Sequence, residues 1–172
     1  MPFSKVTREE VERTVELIGS DKVILRKRDF RDEDFSDIVL NGINLNRANF
    51  EDVNLENAVL TEAKLERVDF TNANLKNANL KKAALFRVNL ENANLEGANL
   101  SESYMGKAVL KDAKLKGADL SKVKFHFADL RDTDLSEVKT INQADFRWAK
   151  YNDETRWPDG FNPKIVGARE TV

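Results

Sequence analysis

The chain has 172 residues, 34% of them charged, with a formal net charge of −2, enough for one domain or for a repeat array with end pieces. With charge this close to neutral, neither wholesale nucleic-acid binding nor a strongly acidic character follows from the total. Cysteine is absent, which excludes disulfides and thiolate metal sites and fits a reducing compartment. There is no N-terminal apolar run of the about 7–15 residues a secretory signal needs and no span of transmembrane length, so the chain reads as a soluble, cytoplasmic protein with no membrane contact.

Residues 1–22 open with an amphipathic helix. Thr7-Arg8-Glu9-Glu10 has the form of a capping box, Val11, Val15 and Ile18 follow at helical spacing, and Gly19 is a stop signal. The expected helix, about Arg8–Ile18, is a lid over Leu25 and Phe30; a partner-binding helix is the alternative.

From Leu25 to Leu135, 22 of the 23 residues spaced five apart are Leu or Phe, and the exception is Met105. A small or β-branched residue sits two before most of them, as in Ala73, Ala93 and Ala118, usually with Asn or Asp between. Steps of five smear around an α-helix by about 140° each and alternate faces in a strand. Only a chain that bends after every unit can bury this series on one side, which is the mark of a solenoid. Arg28 and Glu33 fall at the small position of the first units. Either they pair with each other near the end, or the first coil is irregular and partly open.

Units such as Ala73-Asn74-Leu75-Lys76-Asn77, Ala93-Asn94-Leu95-Glu96-Gly97 and Ala118-Asp119-Leu120-Ser121-Lys122 resemble the A(D/N)LXX unit of the pentapeptide repeat proteins. The resemblance implies an all-β fold: a right-handed quadrilateral parallel β-helix with four units per coil, here over residues 23–151, behind a short N-terminal α-helix cap. The central Leu or Phe and the small residue two before it would both point inward, and about six and a half coils would make a shaft about 30 Å long. Asn residues stacked from coil to coil are expected to bond in ladders.

Beyond Leu135 the phase slips by one, to Ile141, Phe146 and Tyr151, so one extra residue should bulge at a corner. Residues 152–172 break the pattern, with turn signals at Pro158 and Asp159-Gly160. Trp148, Trp157 and Phe161 are expected to plug the last coil. This stretch is similar to a closing sequence in some cyanobacterial members of the family. Apolar residues near both ends also offer contacts for a homodimer.

With four walls per coil, residues 20 apart stack in columns. On the wall of Leu25, Leu45, Leu65, Leu85, Met105 and Phe125, eight bases (Arg26, Lys27, Arg47, Lys64, Arg67, Arg87, Lys107 and Lys124) stand against Glu66. The next wall is acidic, with Asp29, Asp52, Asp69 and Asp129 among its residues. The basic wall also carries Phe86, Tyr104, His126 and Phe127 at outward positions. Exposed aromatics beside arginines have the composition of interface anchors, whereas neutralisation across the corner by the acidic wall is the structural alternative. The candidate partner-binding residues are Arg47, Arg67, Phe86, Arg87, Tyr104, Lys107, Lys124, His126 and Phe127. One strip on a neutral protein is thin electrostatics for phosphate, so the expected partner is another protein rather than a nucleic acid.

No Ser-His-acid arrangement, glycine-rich phosphate loop or His cluster occurs, so neither catalysis, a cofactor nor a metal is expected. The expected function is a non-catalytic, regulatory protein–protein interaction scaffold. The resemblance also admits a DNA-mimicking inhibitor of gyrase, but that needs an acidic surface, and Arg26–Leu135 holds 18 bases and 19 acids. A passive structural or assembly protein is the third reading.

Overall fold

The computed structural model describes residues 4–171; residues 1–3 and 172, which belong to the two end segments, lie outside the described residues. Most five-residue units close with the same turn, and those with Asn or Asp before the centre add a side-chain bond to it. In the unit around Leu75, both Ala73 and Leu75 are buried, and the Asn74 Oδ1 accepts from the Lys76 N–H at 3.3 Å. The Leu75 carbonyl then accepts from the Ala78 N–H at 3.0 Å, closing a turn over Lys76 and Asn77. Asn77 has a φ of 57°, the left-handed conformation that a type II turn requires at its third position. Every residue two after a centre, from Lys27 to Asp132, has positive φ. The A(D/N)L pattern thus has a local cause: the small residue and Leu fill the shaft, and Asn or Asp satisfies the N–H exposed where the chain turns.

Successive coils pair in parallel at a 20-residue register, for example Asn54↔Asn74 and Asn74↔Asn94. The Leu75 N–H donates to the Asn94 carbonyl at 2.7 Å, and the Asn77 N–H to that of Glu96 at 2.8 Å. Four units make one coil, and the whole is a β-helix. Because one bridging residue lies between two turns, strands of two residues occur only at the ends: β1 (Ser4–Lys5), β2 (Arg28–Asp29), β3 (Lys150–Tyr151) and β4 (Arg169–Glu170).

The Asn ladders form, and their order is physical. Asn94 donates its amide to Asn74 at 3.3 Å, Asn74 to Asn54 at 3.0 Å and Asn54 to Asp34 at 3.1 Å. Two shorter pairs, Asn72 to Asp52 and Asn152 to Asp132, run the same way at 2.9 Å. In each the carboxylate takes the N-terminal place, where an acceptor is needed and no donor is. The shaft itself is aromatic at its ends and leucine between. Phe30 stacks on Phe50 at 4.4 Å, and Phe125 on Phe146 at 5.1 Å.

Helix α1 (Arg8–Ile18) begins with the capping box: Thr7 Oγ1 accepts from the Glu10 N–H, and Glu10 Oε2 from the Thr7 N–H. It ends at Gly19, whose N–H donates to the Val15 carbonyl at 2.8 Å. Val11 is buried and Val15 packs on the core, but Ile18 is 47% exposed. Arg28 and Glu33 do not pair with each other, and the first coil is regular in register but open at its end. Arg28 is exposed and bonds Ser4 Oγ, and Glu33 accepts from the N–H of Arg8 at 3.1 Å. The coil is regular there, with Asp29↔Asn49 and Asp34↔Asn54 in register. Strand β1, paired in parallel with β2, and α1 carry the chain across its open end.

At the other end the register becomes 21 at Asp119↔Thr140, as the inserted residue demands. A second insertion, not anticipated, takes it to 22 at Asp134↔Arg156. Thr155-Arg156-Trp157 is therefore one more unit. Thr155 is buried and donates its hydroxyl to the Leu130 carbonyl at 2.9 Å. Strand β4 then closes the Phe30 wall by pairing with β3. Trp157 and Phe161 do plug the shaft, with ring centres 5.4 and 5.8 Å from Phe146. Trp148 does not: it stands outside, 41% exposed.

Candidate partner-binding surface

Arg47, Arg67, Arg87, Lys107 and Phe127 stack in one column, and each occupies the left-handed turn position, with φ between 57° and 62°. They stand on the corner between the Leu25 and Phe30 walls, so the turn geometry of the backbone aims all of them out of the same edge. Trp148, at φ 59°, continues this column after the inserted residue. Its ring stacks on Phe127 at 5.1 Å, and the Lys107 ammonium lies 5.8 Å from the Phe127 ring centre.

A second aromatic pair lies on the wall itself. Phe86 and Tyr104 stack 5.7 Å apart with their planes at 3°, and the Arg87 guanidinium lies 5.3 Å from the Phe86 ring centre. Gly106 makes room for this, since a Cβ there would come 2.8 Å from the Tyr104 hydroxyl. Phe86 also helps line a recess of about 150 Å³ with Arg26, Asn46, Arg47, Glu66 and Arg67.

The charges of the column are not matched by neighbours. Among the described residues, no carboxylate lies within 4.0 Å of Lys27, Arg47, Arg67, Arg87 or Lys107. Three acids of the acidic wall instead pair with bases of that wall: Asp29 with Arg31 at 2.8 Å, Asp129 with Arg131 at 2.6 Å and Asp112 with Lys111 at 3.9 Å. Direct neutralisation across the corner is absent from these contacts.

Lys124 is exposed beside the column, whereas His126 is half-buried in a polar cluster. Its Nε2 lies 2.7 Å from Asp145 Oδ2 and 3.1 Å from an Arg147 nitrogen. Hydrogen bonds from the Arg147 side chain first, and then from its backbone and His126, hold the Asp145 carboxyl well below the usual carboxylate range. His126 is thus a brace at the rim of the surface. The residues that sequence reasoning missed here are Trp148, Asp145 and Arg147. Counting columns in steps of 20 from Phe127 lands on Arg147; only the extra residue after Leu135 moves Trp148 into line.

A family model described as pentapeptide repeat region matches residues 23–100 and 63–146. The chain belongs to the pentapeptide repeat family. Among solved structures, this pentapeptide repeat protein is similar to Rfr23 from the cyanobacterium Cyanothece 51142, at 26% identity and a TM-score of 0.50 over 69% of this chain and 64% of that one. It is also similar to a pentapeptide repeat protein of the Arabidopsis thaliana thylakoid lumen, at 33% identity and a TM-score of 0.42 over 58% of this chain and 66% of that one. In both, the chain spans just under two thirds of the relative's length. A trypsin-treated form of QnrB1, a plasmid-mediated fluoroquinolone resistance protein, aligns over 99% of this chain and 92% of its own at 16% identity and a TM-score of 0.48. No curated protein matches the chain.

Proposed function

We propose that this pentapeptide repeat protein is a non-catalytic, regulatory scaffold of the cytoplasm that takes another protein on the corner column and the adjoining Leu25 wall. The observation that carries the reading is the column of bases without carboxylate partners, running into exposed, stacked aromatics. Surface charges left unpaired beside exposed rings have the composition of a binding surface. Phe127 and Trp148 add weight. A bulky aromatic at positive φ is costly for the fold, and both are exposed where a polar residue would serve the turn better. We take the coil as right-handed and square in section, so that the column is a straight edge.

The test is capture of the partner from lysate by the wild-type chain and by the double variant Arg67→Glu with Arg87→Glu. The variant is expected to lose the partner while its melting temperature stays within about 2 °C, since exposed substitutions cost little. Retained capture would refute the reading. A supercoiling assay with purified gyrase is expected to show no inhibition at micromolar protein; clear inhibition would put topoisomerase binding in its place.

A further inference from the structure

Resting on the reading of this column as the partner site, we propose that its occupant is an acidic α-helix of the partner, laid along the axis of the shaft. The argument is one of period. Arg47, Arg67, Arg87 and Lys107 come from four successive coils in a 20-residue register, so their bases step along the axis by about 4.8 Å, or about 14 Å over the four. An α-helix presents one side chain per turn to a flat neighbour every ~5.4 Å, about 16 Å from the first of four such side chains to the last. Arg and Lys side chains absorb the remaining ~2 Å by changing rotamer. An extended strand presents same-side residues every ~6.7 Å, about 20 Å over four, and runs out of register with the column. One strand of B-form DNA carries a phosphate about every 3.4 Å of axis, again out of step.

The end of the column sets the rest of the motif. On the next coil past Lys107 stands Phe127, stacked on Trp148, and the two rings are 52% and 41% exposed. A helix with an acidic side chain once per turn over four turns therefore presents a large apolar side chain to this pad in the fifth. Glu66 is the one acid beside Arg47 and Arg67 in the recess, and it disfavours a fully negative ligand such as a polyphosphate more than a ridge of separate carboxylates. The partner class is thus an amphipathic helix with an acidic ridge ending in an aromatic or leucine side chain.

The full-length chain is titrated into fluorescent, alanine-rich 20-residue peptides. One carries glutamate once per turn over four turns and leucine in the fifth, and a companion has the reverse order. Controls are the same peptides with a central proline, a scrambled peptide, and a single-stranded 20-nucleotide oligodeoxynucleotide. At least one helical order is expected to bind roughly ten-fold tighter than its proline and scrambled forms, and to lose that affinity with Arg67→Glu and Arg87→Glu. Phe127→Ala with Trp148→Ala is expected to remove the preference for the apolar turn without abolishing binding. Equal binding of the proline forms, no binding of either order, or tighter binding of the oligonucleotide would overturn the proposal. So would sedimentation showing that the column holds a second copy of this chain. If the helix preference fails while lysate capture still depends on Arg67 and Arg87, the binding surface stands and only the form of its occupant falls.

Discussion

Ser103 is the residue that most clearly departs from its own repeat. It fills the small inward position where Ala or Val usually sits, is fully buried, and its Oγ finds no hydrogen-bond partner. Thr133, at the same position further along, shows what satisfaction looks like: its hydroxyl donates to the Leu110 carbonyl at 2.8 Å. A buried, unpartnered hydroxyl costs about 1–3 kcal/mol. Ser103→Ala is expected to raise stability by about 1 kcal/mol in denaturant unfolding, and a fall in stability would show that the hydroxyl has a bond not seen here. At this scale the sequence was generous about the core and about which residues share a column, and silent about which charges meet. The inward Leu, Phe and Ala residues were readable because their period is incompatible with any other burial. Whether Arg67 or Arg87 meets a carboxylate was not, because that depends on side-chain reach across a corner and not on spacing.

The elements divide in the same way. Helix α1 was legible down to its capping box, since Thr7, Glu10 and Gly19 act through local bonds. The first coil was not: Arg28 and Glu33 sit where an inward residue would be, and only strand β1 and the first turn of α1 show how their charges are held outside. The tail misled for another reason. Two single-residue insertions break the counting, hiding the unit Thr155-Arg156-Trp157 and the outward place of Trp148. Trp157 closes the shaft and Trp148 faces outward, so their truncations should differ in kind. Trp157→Ala is expected to cost about 3 kcal/mol and to speed hydrogen exchange in the last coil while coils around residues 40–100 stay protected, as units of a solenoid depend chiefly on their neighbours. Trp148→Ala should leave that protection unchanged. Equal fraying in both variants would contradict the assignment.

For the molecule as a whole, a net charge of −2 conceals two unlike edges, one of acids that are in part ion-paired and one of unpaired bases. Hydrogen-bonded carboxylates spread over all four walls govern the response to acid. Asp29, Asp129 and Asp145 are held below their ordinary value chiefly by hydrogen bonds from Arg31, Arg131 and Arg147, and Asp34, Asp119 and Asp134 by bonds from Ser36, Ser121 and Ser136. A carboxylate whose folded pKa is depressed adds stability above its unfolded value, near ~3.9, and loses it as pH falls through the folded value. Thermal melting should therefore be level from about pH 5 to 7 and fall progressively below about pH 4. Melting temperatures that rise on acidification would contradict these bonds.

That the unpaired side carries the function is our proposal, and a charge-reversal comparison tests it most directly. Arg67→Glu with Arg87→Glu is set against Glu51→Lys with Glu91→Lys on the acidic wall, with partner retention and melting temperature measured for both. The account predicts that only the first pair of substitutions releases the partner and that neither shifts melting by more than about 2 °C. Retention of the partner by the first pair, or its release by the second alone, would contradict it.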